Sequence, residues 1–142
     1  MRRGGNLYPL GADDSHSQKD LGGAWIMVGA EKLEYGAVIA ALEKGDFYAS
    51  TGPELHEVSI EDGILTVRCS DAQRIVVDSG TRFAKTIYPK APDKLVRSGS
   101  FNLKAWLDAC TGESRLDWIR VSVVDAYGNF ASTRAFYPDE LK

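Results

Sequence analysis

The chain has 142 residues, of which 44% are hydrophobic and 26% charged, and its 17 basic and 20 acidic side chains leave a net charge of −3. That is the size and composition of one globular domain, which excludes a disordered tail, a collagen-like repeat and a low-complexity linker. Such a balance gives no general pull toward nucleic acid or anionic lipid, and the longest apolar stretch, Ala24–Val28, is far too short to cross a bilayer.

In chain order, Met1-Arg2-Arg3-Gly4-Gly5 carries two positive charges with no apolar run behind them. No secretory signal is expected, and a cytoplasmic location is the default. Arg2-Arg3 is too short for a nucleic-acid arm. Leu7-Tyr8-Pro9-Leu10-Gly11-Ala12 reads as a buried strand or strand end, although Pro9 cannot donate to a ladder. The polar cluster Asp13-Asp14-Ser15-His16-Ser17 follows, then a loop to Gly23 and a strand at Trp25–Val28. Residues 31–44 change period. Leu33, Ala37, Val38, Ala41 and Leu42 share one helical face, and Gly45 is a good stop. Gly36 weakens the first turn.

After Gly45 the pattern is β almost throughout. Phe47–Ser50 predicts a strand closed by Thr51-Gly52-Pro53. Val58 and Ile60, then Leu65 and Val67, alternate on either side of Asp62-Gly63, which marks a hairpin. Strands are expected at 74–78 and 82–88, with a loop over 89–99. Phe101, Leu103, Ala105 and Leu107 alternate as a strand would, with a short helix over Leu103–Cys110 as the rival reading. Residues 117–124 and 129–137 close the chain around Asp125-Ala126-Tyr127-Gly128. About seven short strands with frequent turns are the signature of a sandwich.

Several single residues carry expectations. Cys69 and Cys110 belong to no CxxC pair; burial as apolar fillers is expected over a disulfide, and a zinc knuckle is excluded by count. Ser50-Thr51-Gly52-Pro53 has the hydroxyls and amides of an anion cradle, but a strand-ending turn is the simpler expectation. Trp25, Trp106 and Trp118 could line a groove; core packing is expected for Trp118 and exposure for Trp106. His56 is expected on a surface or sheet edge.

One cluster carries chemistry. Asp14-Ser15-His16 is Asp-x-His. On an extended backbone its first and third side chains point the same way, about 7 Å apart. A carboxylate and an imidazole so placed can serve neighbouring metals about 3.5–4 Å apart, and suit Zn, Mn or Fe. The rival reading is a turn or helix cap. A transition-metal site needs three or four protein ligands, and the chain has two histidines, so its own histidines cannot complete one.

Taken in order, Gly11-Ala12-Asp13-Asp14-Ser15-His16, Gly23-Ala24-Trp25-Ile26-Met27-Val28, the helix ending Ala40-Ala41-Leu42-Glu43-Lys44-Gly45, and Asp46-Phe47-Tyr48-Ala49-Ser50-Thr51-Gly52-Pro53 resemble the C-terminal part of PHP-domain metallohydrolases, the polymerase and histidinol phosphatase superfamily. The branch with a trailing β domain is the nearest in pattern. Ile119-Arg120-Val121 and Asp125-Ala126-Tyr127-Gly128-Asn129 resemble its closing hairpin. The resemblance implies a distorted (β/α)7 barrel holding divalent metal ions (Zn, Mn or Fe). It implies that Asp14 binds one metal and His16 another, for hydrolysis of a phosphoester or related ester. Asp13 takes no firm role. The family's opening His-x-His and its middle Glu and His ligands have no counterpart here. The expected partner is therefore an N-terminal barrel half on the same or another chain, and these residues alone are expected to be inactive and to hold metal weakly or not at all.

The expected fold is thus α+β: a mainly antiparallel β-sandwich over 46–142, preceded over 1–45 by a strand–helix remnant of a PHP barrel. The functional expectation is the C-terminal portion of a PHP-type metal-dependent phosphoesterase or hydrolase. The alternative is a non-catalytic β-sandwich module for binding or oligomerisation. The helix face of Leu33, Val38 and Leu42 is expected to fold back on the sandwich or to pair with another copy as a homo-oligomer. No nucleic-acid or membrane partner is expected.

Overall fold

The structure is a computed structural model and describes residues 7–81, 84–109 and 117–141. Its strands are β1 (Trp25–Val28), β2 (Phe47–Ser50), β3 (Leu55–Glu61), β4 (Ile64–Ala72), β5 (Arg74–Ser79), β6 (Ala84–Ile87), β7 (Val96–Asn102), β8 (Ile119–Val124) and β9 (Phe130–Thr133). Helix α1 spans Tyr35–Lys44 and α2 spans Leu103–Ala109. The strands form a six-stranded sheet, ordered β1-β2-β9-β8-β5-β6, and a three-stranded sheet, ordered β3-β4-β7. All pairings between these strands are antiparallel.

The two sheets share one core. Leu65, Val67 and Cys69 of β4 meet Ile75 and Val77 of β5 and Ile119, Val121 and Val123 of β8. Alternate residues of these strands are buried, as the two-residue period of a sheet with one covered face requires. Val58 and Ile60 pack against this core but are only half-buried, because β3 is the outer strand of the small sheet.

Local chemistry explains the tight turns. Asp62 (φ 50°) and Gly63 (φ 73°) both take left-handed conformations, which a two-residue type I′ hairpin loop needs. The β8–β9 turn is held by Asp125, whose carboxylate accepts from the backbone N–H of Tyr127 (2.8 Å) and Asn129 (2.9 Å). Helix α1 ends at Gly45 (φ 74°). The N–H of Gly45 donates to Leu42 O (3.1 Å) and that of Asp46 to Ala41 O (2.9 Å), a Schellman termination.

Several expectations are corrected. Residues 7–12 are not a strand, and Leu7 and Leu10 are exposed. The segment instead lays the Tyr8 ring edge-on against Phe47 (5.8 Å between centroids) and presses Gly11 onto the Trp25 backbone. Helix α1 starts at Tyr35 rather than 31, from an extended Glu34 that makes no side-chain cap. Leu33, expected on the packed face, is therefore fully exposed, and Ala41 is the buried contact of the helix.

The loop expected over 89–99 contains the start of β7, whose Ser98-Gly99-Ser100 has weak strand propensity. Gly99 lets the end of the Ile87 side chain of β6 lie directly against the β7 backbone. Leu103–Ala109 is the helix and not the strand. Asn102 Oδ1 accepts from Ala105 N (2.9 Å) as an N-cap, and Leu103 and Trp106, one helical turn apart, are both buried. Trp106, expected to be exposed, is therefore in the core. Trp118 is half-buried beside Gly80. Cys69 is buried as expected, while Cys110, Arg2 and Arg3 lie outside the described residues.

The boundary expected between residues 45 and 46 falls at the α1 cap, and β1–β2 pairing carries the large sheet across it. Helix α1 thus joins two antiparallel neighbours. Among the described residues, no helix is long and apolar enough to cross a membrane.

Candidate metal centre

Asp14 and His16 lie in the loop that enters β1, and both are exposed. The backbone is not extended there. Asp14 takes the left-handed φ of 51°, so the two side chains are not arranged by a two-residue strand repeat. The His16 ring lies back on its own motif: Nδ1 is 2.7 Å from the Asp14 carbonyl oxygen. A carbonyl can only accept, so Nδ1 carries the hydrogen and donates. In the neutral ring Nε2 then holds the lone pair.

The neighbouring acids build the loop. Asp13 Oδ2 accepts from Gly22 N (2.7 Å) and Oδ1 from Ala24 N (2.6 Å), clasping the two ends of the excursion. These backbone donors hold its carboxyl below the ordinary aspartate range. Ser17 caps a 3-10 turn, Gln18–Asp20. Asp20 Oδ2 accepts from His16 N (3.1 Å), Ser17 N (2.8 Å) and Ser17 Oγ (3.0 Å), which lowers its pKa as well, His16 being the largest cause. The clasp role of Asp13 has a faint sequence signal in Gly22-Gly23, whose bare backbone lets amides approach a carboxylate.

The donor set can be tested against a divalent ion. Among the described residues no hydrogen bond or ion pair engages the Asp14 carboxylate. His16 offers Nε2 with its other nitrogen anchored on a carbonyl, the arrangement found behind metal-bound imidazoles. One carboxylate oxygen donor and one imidazole nitrogen fit Zn, Mn or Fe. The count falls short of the three or four ligands of a zinc site. Among the described residues no three or more His, Cys, Asp or Glu side chains gather as a metal cluster.

The other candidates take structural places. His56 is exposed on β3 with Nδ1 3.9 Å from Glu54 Oε2, and it borders a different groove from the Asp14–His16 loop. Ser50 Oγ donates to Pro53 O (2.6 Å) and accepts from Gly52 N (3.0 Å), while Thr51 Oγ1 accepts from Phe130 N (3.0 Å). These hydroxyls close a turn rather than facing an anion. Trp25 is half-buried in β1. No family model, curated protein or solved structure matches the chain.

Proposed function

We propose that the chain is the C-terminal portion of a PHP-type metal-dependent phosphoesterase or related hydrolase, with Asp14 and His16 as two of its metal ligands. The observation that carries this reading is the His16 Nδ1–Asp14 carbonyl contact at 2.7 Å, which leaves Nε2 as the donor. It adds to the ordered sequence blocks that resemble the family. A divalent ion held there supplies Lewis acidity toward a phosphoester or ester oxygen. The chain's own residues do the positioning. Asp13 closes the loop onto the entry to β1, Asp20 ties His16 and Ser17 together, and the Asp14 carbonyl sets the imidazole tautomer.

Two donors hold an ion weakly, so the remaining ligands come from an N-terminal barrel half outside these residues. These residues alone are then inactive, and the whole enzyme is cytoplasmic. The test is NMR of the isolated chain. The nitrogen shifts of His16 should report Nδ1 protonated and Nε2 bare. Mn²⁺ should broaden signals around Asp14 and His16, and His16→Ala should abolish that broadening. Broadening centred on His56, or unchanged in His16→Ala, would overturn the reading.

A further inference from the structure

We propose that the free edge of β3 takes up an extended basic peptide, which adds as a fourth strand to the small sheet beneath the overhanging edge of the large one. This goes beyond the metal reading and involves none of the residues of the Asp13–Ala24 loop.

The argument starts from the unequal sheets, six strands against three. Gly99 of β7 lies against Ile87 of β6 and Ile75 of β5. The core joins β4 to β8, and Leu55 and Val58 of β3 share a groove with Tyr48 of β2 and Thr133 of β9. The small sheet therefore runs out opposite β2, and β1 overhangs it. Met27 of β1, on the overhang, is 44% exposed. The groove beneath has a volume of about 460 Å³, within the range of ligand clefts. Its apolar lining includes Met27, Tyr48, Leu55, Val58 and Phe136.

The backbone of β3 is set to receive a strand. The two-residue loop Asp62-Gly63 makes Glu61 and Ile64 a mutually hydrogen-bonded pair. Alternation from that pair turns the N–H and C=O of Val58 and Ile60 away from β4, toward the open side. Among the described residues no strand pairs with that side. An added strand would lie about 4.8 Å from β3 and place alternate side chains under β1 and β2.

Charge selects the occupant. Residues 45–67 carry Asp46, Glu54, Glu57, Glu61 and Asp62 and no Lys or Arg. Arg68 of β4 pairs with Glu57 at 3.5 Å, which leaves Glu54, Glu61 and Asp62 as the unneutralised acids along β3 and its turn. Arg134, on the groove wall, is already held by Glu140 at 2.6 Å. Edge strands are guarded by charge against chance pairing. An acidic guard repels acidic strands and a second copy of β3, and attracts a strand in which Lys or Arg alternates with apolar residues.

The experiment titrates the chain with labelled peptides of alternating valine and lysine, of alternating valine and glutamate, and of valine and lysine with alternate amides N-methylated. Fluorescence anisotropy reads affinity, and amide exchange reads position. The valine–lysine peptide should bind, with affinity falling as salt rises, and should protect the Val58 and Ile60 amides. The N-methylated peptide should not bind. The glutamate peptide, or the lysine peptide against the charge reversal Glu54→Lys with Glu61→Lys, should bind at least about tenfold more weakly. Equal binding of the N-methylated or glutamate peptide overturns the proposal. So does protection at β1 or β6 instead, or dimerisation of the chain through β3.

Discussion

Leu65→Ala, paired with Ile64→Ala, tests how the two sheets face each other. Leu65 is 0% exposed in β4, whereas its neighbour Ile64 is 38% exposed on the opposite face. The leucine truncation removes three carbons from the core. At about 0.8 kcal/mol per methylene the transfer loss is about 2.4 kcal/mol. The cavity left behind adds to this, and the usual range for such a change is about 2–5 kcal/mol, so we expect about 3–4 kcal/mol. An unfolding entropy of about 2.1 cal/mol/K per residue over 142 residues gives about 0.3 kcal/mol/K, so Tm should fall by about 10–13 °C. Ile64→Ala should cost about 1 kcal/mol or less, because its side chain already meets water. Calorimetry and urea titration measure both. Equal losses for the two variants would refute the packing, because they would mean that β4 does not present its odd-numbered residues to the large sheet.

Other outcomes follow from the loops and caps. Asp13 and Asp20 have folded-state pKa values below the ordinary range, so their contribution is complete above the unfolded carboxyl pKa and is lost as pH falls through the folded value. The loop from Asp13 to Ala24 should stay closed from neutral pH down through the usual carboxylate range and open only in stronger acid. The amide shifts of Gly22 and Ala24 report this, and opening already at mildly acidic pH would count against the clasp. Asp13→Ala should speed hydrogen exchange at those two amides while leaving the Leu65 amide protected. Gly45→Ala should cost at least about 1–2 kcal/mol, from the left-handed conformation alone. Its Cβ would also sit 2.7 Å from Tyr8 Cε1 and from Arg134 Cδ. Urea midpoints check it, and a neutral result would show that α1 does not end in this way. Burial pushes the Cys69 thiol up to about 11, with Asp71 adding to the effect. Cys69 should therefore resist alkylation in the folded chain near pH 8 and react on denaturation, as peptide mapping would show.

The candidate site was partly legible in advance. Asp14 and His16 stand out as a spacing of two metal-friendly side chains. Their real geometry depends on the left-handed conformation of Asp14, for which Asp is tolerated but not required, so no spacing rule announces it. The hydrogen on His16 Nδ1 follows from its contact with the Asp14 carbonyl. The Asp13 clasp spans nine and eleven residues to its two partners, beyond the reach of local pattern. In the fold, the alternation of Phe101, Leu103, Ala105 and Leu107 favours a strand, and the structure instead forms the rival helix, capped by Asn102. Leu103 and Trp106 satisfy the helical spacing equally well, and only the facing core chooses between the two periods.

Local sequence determined what local sterics can decide. Asp62-Gly63 makes a hairpin because few other residues accept two left-handed conformations in a row, Gly45 ends its helix for the same reason, and the alternation in β4, β5 and β8 states which side of each strand is apolar. Tertiary structure decided which strands became neighbours and which were left at an edge. Thr51 meets Phe130 across 79 residues of sequence, and no short window contains that pairing. The overhang of β1, the open side of β3 and the groove between them are consequences of such distant pairings, because an edge is defined by the partner a strand lacks rather than by anything in its own residues.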